Sequence, residues 1–485
     1  MSNQSEYHKK CVDFTSEGSV LGVTNGGGGG HKTVLQALNH IFEMQNSATE
    51  NKFYTVDIIK NSFPKPLGKF IYNMMNQGWN NAKKNGDIGK QEFLVKGRPF
   101  RNFLFKGPTH LELVDVLFFI PIFFSIFTAL MRKKSVTCVL DVQPLATSVI
   151  MKAVRAVNAV SGRKIKVYKM LTDLPTSDAI HYSEPLKNLS KKNKKNLQVI
   201  TTRPLIENNM NEQEWWKHQF NLYYNPDEPS LVKYSDFPLR PAFFNLQNSS
   251  CNRIQIKINN EEEFRFHEEL MQKKLQKISC FGGLFPYAPK KVIHIPVNDK
   301  DCIVFSTIGS ETAYKTLDYL SDFIEIAIDA CNRELSHRFI FFAGCGRHEA
   351  KKIDLFYRVC RIAKEIPEEY KKNILIIPLG FQDDDEIAPL MQRCNLGIYG
   401  GGGVTIMETI HAAKGAVFIH SEKELCDKER NRHESDAELL KGFALWEKGN
   451  VRYRMEKGAA PIAPGILFKK ALKEAIERIV AYALS

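Results

Sequence analysis

No CxxC pair occurs among the ten cysteines, no unbroken apolar run reaches twenty residues, and acidic side chains are outnumbered, 54 against 67 basic ones. Each shortage removes a class of protein. Thiols scattered from Cys11 to Cys426 without paired spacing argue against a zinc site or a disulfide framework and for a reduced compartment. The leading stretch MSNQSEYHKK has no apolar signal region, so a cytoplasmic location is expected. No repeat is visible, and the only low-complexity tract is a run of glycines. The longest apolar run, Val116 to Met131, is sixteen residues long and contains Pro121. That is short of the roughly 20 residues a bilayer span needs. It reads as a buried helix, or as an interfacial helix held on anionic lipid by Arg132, Lys133 and Lys134. The shortage of acid leaves a net charge of +13, which attracts an anionic membrane surface, nucleic acid or a phosphate-bearing substrate.

Strand and helix patterns alternate through most of the 485 residues, which predicts parallel sheets with covering helices, an α/β protein. The first series of strands is Val20–Val23, Phe53–Asp57, Val136–Leu140, Ile165–Leu171 and Leu197–Thr201. A polar stretch from about 245 to 300 interrupts it. A second series follows at Ile303–Thr307, Phe339–Ala343, Ile374–Pro378, Leu396–Tyr399 and Ala416–His420. The last helix, from Ile466, carries an apolar stripe including Leu467, Ala471, Leu472, Ala475 and Ile476, and must pack on something. The basic run KNLSKKNKK at 187–195 reads as a solvated loop that would also suit a membrane-facing surface. Trp215 and Trp216 suit either the core or an interface, the core being favoured.

The glycine run stands at a chemically loaded place. In LGVTNGGGGGHKTVLQAL a short apolar strand leads into Gly26–Gly30 and His31, and Val34, Leu35 and Leu38 then recur at helical spacing. Glycines between strand and helix allow a tight turn and close approach to a ligand, and free amides at a helix start favour anions. A second device of the same kind occurs in CNLGIYGGGGVTIMETIHAAKG. There Leu396–Tyr399 is the strand, Gly400–Gly403 the turn and Val404–Ala413 the helix. Thr405 lies in the first helical turn, where its hydroxyl and nearby amides could hold a pyrophosphate. Glu408, one turn on, is placed to accept hydrogen bonds from a vicinal diol such as a ribose. Two such turns, one in each α/β unit, imply two nucleotide-fold domains facing a cleft.

These motifs resemble the GT-B glycosyltransferases, in the group of monogalactosyldiacylglycerol synthase, the processive diacylglycerol glucosyltransferases and the lipid II-forming N-acetylglucosaminyltransferase. GGGGGH stands at the family's glycine turn and histidine. VLDVQPLATSVI and MLTDLPTSDAIHY resemble its strand ends, and FPLRPAF the approach to the interdomain linker. STIGSE, FAGCGRHE, PLGFQDDDEIAPLMQRCNL and GGGVTIMETIHAAKGA follow in the order of the sugar-nucleotide domain. The resemblance implies a first Rossmann-like acceptor domain (1–244), an insert or linker (245–299) and a nucleotide-sugar domain (300–465). It also implies a final helix (466–485) that crosses back onto the first domain.

It further implies an inverting, metal-independent transfer of a sugar from a nucleotide sugar, UDP-linked in the first instance, to a hydroxyl acceptor, with a membrane lipid a candidate. No cofactor, metal ligand or nucleic-acid partner is expected, and location is cytoplasmic, peripheral at a membrane if the acceptor is lipid. His31 matches the catalytic base, a task imidazole suits near neutral pH. Asp173 could orient or replace it. Gly28, Gly29 and Gly30 match the acceptor-side or phosphate turn. Glu408 matches the ribose acceptor, and Gly402, Gly403 and Thr405 the diphosphate turn. Phe381 and Gln382 match the loop whose backbone reads the base edge, Gly309 and Ser310 the first turn of that domain, and Gly346 and Arg347 a further donor loop.

Two departures stand out. Gln143 precedes Pro144 where lipid synthases carry histidine, and Gly400 stands where the family often has a basic residue. Asp383–Asp385, at a helix start, read as caps rather than metal ligands. The rival readings are an enzyme acting on a protein or soluble acceptor, a catalytically inactive nucleotide-sugar- or membrane-binding protein, and a sugar-nucleotide epimerase. The last would need acidic catalytic residues that are not identifiable here.

Overall fold

A computed structural model describes residues 18–25, 29–70, 73, 77, 119–144, 146–206, 209–227, 230–244, 246, 252–275, 292–308, 313–333, 337–346, 354–423 and 436–484. The first unit contains β1 (Ser19–Thr24), α1 (Gly29–Gln45), β2 (Phe53–Asp57), α2 (Phe119–Arg132) and β3 (Val136–Asp141). It continues with α3 (Thr147–Ser161), β4 (Lys166–Met170), α4 (Ile180–Lys187), β5 (Leu197–Thr201), α5 (Glu212–Phe220) and β6 (Val232–Tyr234). Its sheet is parallel, in the order β2-β1-β3-β4-β5-β6. The strands are runs such as SVLGVT, buried at every position, as expected where helices cover both faces of a sheet.

Between the units, β7 (Arg253–Lys257), α6 (Glu261–Leu275) and β8 (Val292–Pro296) form a small unit in which β7 and β8 pair antiparallel. The second unit has β9 (Cys302–Thr307), α7 (Thr316–Asn332), β10 (Phe339–Gly344), α8 (Leu355–Glu365), β11 (Ile374–Leu379) and α9 (Asp384–Arg393). It closes with β12 (Leu396–Tyr399), α10 (Gly403–Ala412), β13 (Ala416–His420), α11 (Leu445–Met455), β14 (Ala460–Ile462) and α12 (Ile466–Leu484). The strand order is β11-β10-β9-β12-β13-β14, again parallel throughout. Two Rossmann-like α/β domains are therefore present, as the resemblance implies.

All ten expected strands are found. Four elements go beyond expectation: β6 and β14, three residues each, and β7 and β8 within the stretch taken for a polar insert. Ile254, Ile256, Ile293 and Ile295 are buried there, in the cluster that holds Leu379, Ala388 and Met391 of the second unit. Lys257 pairs with Asp383 at 2.9 Å. Trp215 and Trp216 are core residues, buried beside Phe220.

The last helix corrects its expectation. Phe468, Leu472, Ala475 and Ile476 of α12 are buried with Tyr319, Phe323 and Ile398 of the second unit, not on the first. The Phe468 ring meets Tyr319 edge-on at 5.0 Å, and Lys469 reaches Asp322 (3.5 Å) and Glu325 (2.5 Å) on α7. The apolar stripe of α12 finds its match on α7, and the basic residue beside it finds the acids on the same helix. Among the described residues, contact with the first unit comes instead from α11 and from the start of α10. Arg452 pairs with Asp178 at 3.0 Å, and a Cβ on Gly449 would lie 1.9 Å from the Thr176 hydroxyl.

Candidate active site

In each sheet the chain turns to opposite sides after one strand, β1 in the first and β9 in the second. The crevices open between β1 and β3 and between β9 and β12. Ligands of parallel α/β sheets bind at such switch points, beyond the carboxyl ends of the strands. Both glycine turns stand there, one after β1 and the other after β12.

The two turns face each other. Gly29 and Gly30 form the first residues of α1, whereas Gly28 lies outside the described residues. Among the described residues a Cβ on Gly30 would meet only Val404 of α10, at 3.5 Å. A Cβ on Gly403 would lie 2.4 Å from the Thr172 carbonyl and 2.9 Å from Asp173 Oδ1, both on the loop after β4. Only glycine allows that approach between the units. Gly402 differs, since none of the described residues lies within 4 Å of the position its Cβ would take.

His31 is the third residue of α1. Its Nδ1 is 2.8 Å from Thr172 Oγ1 and 3.5 Å from the Tyr182 hydroxyl on α4. Asp173, the next residue along the loop, turns its Oδ1 to the second unit. That oxygen accepts from the Gly403 amide at 3.3 Å and from Asn450 Nδ2 at 2.9 Å. A carboxylate thus occupies the amide at the start of α10, the kind of position that favours an anion. Asn450 completes the junction: its Oδ1 accepts from the Leu174 amide at 2.9 Å and its Nδ2 also donates to the Gly401 carbonyl at 3.1 Å.

Beneath this surface lies a buried ionic network. Lys169, 1% exposed, donates to Asp141 Oδ2 and Thr147 Oγ1, both at 2.8 Å, and to the Gln143 carbonyl. The Gln143 amide donates to Asp141 Oδ1 at 3.2 Å and accepts from Asn25 at 3.2 Å. Asn25 is the residue just before the glycines. Gln143, the departure from the lipid-synthase pattern, therefore holds the root of the glycine turn.

On the donor side Thr405 sits half-buried in the first turn of α10. Glu408, expected on a ribose, has a partner of its own. Oε1 accepts from Arg240 Nε at 2.9 Å and Nη2 at 2.7 Å. Burial raises the Glu408 pKa, and Arg240 opposes that rise. A carboxylate as deeply buried as this one needs such a charged partner. Arg240 belongs to the FPLRPAF segment between the units.

Gln382 is likewise committed. Its side chain accepts from the Lys257 amide at 2.7 Å and donates to the Lys257 carbonyl at 2.9 Å, stitching the loop to β7. Only its backbone remains for the base-reading task, and Phe381 precedes it in the same loop. Gly346 has φ +64°, a left-handed turn just past β10. Gly309, Ser310 and Arg347 lie outside the described residues. Asp383 caps α9, its own amide donating to Glu386 Oε2 at 3.1 Å, as a capping role requires.

The structure thus brings His31, Asp173, Gly30 and Gly403 together. The sequence reading missed Asn25, Thr172, Tyr182, Arg240 and Asn450. Thr172 and Tyr182 belong to the quoted MLTDLPTSDAIHY segment and Arg240 to FPLRPAF, so those motifs were the available signal. Asn450, 277 residues from Asp173, had none.

No family model matches the sequence, and no curated protein matches it in sequence. The structure is loosely similar to Arabidopsis thaliana UGT89C1 complexed with UDP-L-rhamnose. That likeness has 10% identity and a TM-score of 0.41, covering 96% of this chain and 95% of that one. Acinetobacter baumannii MurG is similar at 11% identity and a TM-score of 0.38, covering 96% and 99%. A UDP-forming α,α-trehalose-phosphate synthase from Burkholderia xenovorans is similar at 10% and 0.36, covering 96% and 99%.

Proposed function

We propose that this chain is a glycosyltransferase that moves a sugar from a nucleotide sugar, UDP-linked in the first instance, to a hydroxyl acceptor with inversion. One observation carries the reading. Two helices that open on glycine turns, α1 and α10, meet across the cleft, and His31 lies at the junction. In this reading the donor diphosphate lies at the start of α10, against Gly402, Gly403 and Thr405, where Asp173 now sits. Backbone amides there stabilise the departing nucleoside diphosphate without a metal. His31 takes the proton of the acceptor hydroxyl as that oxygen attacks the anomeric carbon. Donor binding displaces Asp173 from the Gly403 amide, and the carboxylate then serves to orient the acceptor or the base. Glu408 keeps its ribose role if Arg240 yields or shares it, and the Phe381–Gln382 backbone, Gly346, Arg347, Gly309 and Ser310 complete the donor pocket.

A lipid acceptor is supported by α2. Ile120 and Phe124, four residues apart, are 66% and 59% exposed, and Arg132, Lys133 and Lys134 follow. No described helix is long and apolar enough to cross a membrane.

The test is incubation of the pure protein with UDP-glucose, UDP-galactose, UDP-N-acetylglucosamine and GDP-mannose, with and without diacylglycerol vesicles. Release of nucleoside diphosphate with one of them is expected. Binding of a nucleotide sugar with no release under any condition would favour the inactive binding protein instead.

A further inference from the structure

The shortest contacts behind His31 run through two hydroxyls and end on a group that can only accept, with a longer cross-contact of 3.5 Å from Nδ1 to the Tyr182 hydroxyl. His31 Nδ1 is 2.8 Å from Thr172 Oγ1, which is 2.5 Å from the Tyr182 hydroxyl, which is 3.3 Å from the Val142 carbonyl oxygen. Thr172 and Tyr182 are 2% and 1% exposed, and Val142 is fully buried, so the line lies away from water.

We infer that this hydroxyl relay fixes the tautomer of His31, with the proton on Nδ1 and the lone pair on Nε2, and that Thr172 and Tyr182 are positioning residues for the base. The inference rests on the transfer reading only in naming His31 a base; the tautomer itself stands on the geometry. A carbonyl oxygen has no proton, so the Tyr182 hydroxyl must donate to Val142. Tyr182 has a single proton, so its oxygen accepts from Thr172, both from the hydroxyl and from the backbone amide at 3.4 Å. Thr172 has then spent its own proton, and its oxygen must accept from His31 Nδ1–H. The direction holds whether the ring is neutral or cationic, because Nδ1 is a donor in both; only Nε2 gains and loses a proton.

Burial and the nearby Asp173 charge push the Tyr182 pKa well above its ordinary value, which keeps the phenol a donor throughout the working pH range. The low local dielectric strengthens each link. An imidazole that serves as a base needs its other nitrogen fixed as a donor, a task often given to a carboxylate or carbonyl. Here two hydroxyls carry that fixation to a backbone carbonyl, while the neighbouring carboxylate, Asp173, reaches across to the second unit.

The experiment is long-range ¹H–¹⁵N correlation on the full chain labelled with ¹⁵N-histidine, in the absence of substrate and at alkaline pH. The His31 signals are identified by their loss in His31→Gln. The parent is expected to show a protonated Nδ1 and an unprotonated Nε2; the opposite pattern would overturn the inference. Tyr182→Phe removes the acceptor for the Thr172 proton, which then turns to His31 and drives the proton to Nε2. A variant spectrum identical to the parent would sink the relay. Should Tyr182→Phe fail to fold, Thr172→Val breaks the same line, and Thr172→Ser should restore it; Nδ1 still fully protonated in Thr172→Val counts against the relay. If the tautomer is as expected while His31→Ala keeps full turnover, the relay stands and the catalytic assignment falls. In an active enzyme Thr172→Val should lower kcat tenfold or more with donor KM unchanged.

Discussion

Gly402 and Gly403 are neighbours under opposite constraints. A methyl at 403 would press on the Thr172 carbonyl at 2.4 Å, a backbone atom that cannot swing aside. Gly403→Ala should therefore push the units apart at a cost of about 1–3 kcal/mol, the usual range for overpacking. Thermal denaturation should show the loss. A methyl at 402 meets none of the described residues within 4 Å, and φ there is −67°, ordinary for any residue. Gly402→Ala should melt like the parent yet bind UDP more weakly, since the space it fills is the one assigned to the diphosphate. Calorimetry with UDP checks this; equal affinity in both proteins would remove the second glycine turn from the donor site. Part of this was legible early. The glycines and His31 announced a close approach, but only folding reveals that Gly403 is close to the other unit while Gly402 is open.

At the scale of elements, α6 docks on the second unit through His267. Burial lowers the His267 pKa to about 4, although Glu263 and the Pro378 carbonyl both favour its charged form. The folded value lies below the unfolded value near 6.5. Neutral His267 thus leaves stability intact above pH 6.5, and that contribution is lost as pH falls from there towards 4. The slope should reach about 1.4 kcal/mol per pH unit within that window. Urea midpoints between pH 7 and 4.5 should fall more steeply for the parent than for His267→Phe; parallel curves would show that another group governs the acid response.

Helix α2 carries a second test. Phe119 and Phe123 stack on each other at 5.7 Å and pack on the core, so Ile120 and Phe124 are the residues left to meet lipid. Ile120→Ser and Phe124→Ser should each weaken binding to anionic vesicles roughly tenfold, from about 1.5 kcal/mol of apolar burial apiece, without loss of folding. Undiminished vesicle binding in both would take lipid away from this face. The elements themselves were mostly visible in the sequence, because apolar strands buried on both faces read as continuous runs. β7 and β8 were masked by the asparagines around them, although Ile254, Ile256 and Ile258 alternate as a half-buried strand does. β6 and β14 are too short for any period to show. The stripe on α12 was plain, but nothing in it distinguishes one domain's surface from the other's.

For the whole molecule, the decisive feature is that each unit presents a glycine turn at its switch-point crevice, after β1 in one and after β12 in the other, and the junction is held by contacts no local pattern announces. Asn450 joins Asp173, Leu174 and Gly401; Arg240 joins the linker to Glu408. The net charge of +13 suits a donor that carries two phosphates. The central claim is that this junction transfers a sugar with His31 as its base. The direct measurement is nucleoside-diphosphate release by the parent, His31→Ala and Asp173→Asn at saturating donor, with donor affinity measured in parallel. His31→Ala should cut turnover roughly 10²–10⁴-fold, the range for loss of a general base, while donor affinity stays within a factor of about two. Near-parental turnover in His31→Ala together with abolished turnover in Asp173→Asn would contradict the claim, leaving the first glycine turn as scaffold and Asp173 as the group that carries the proton.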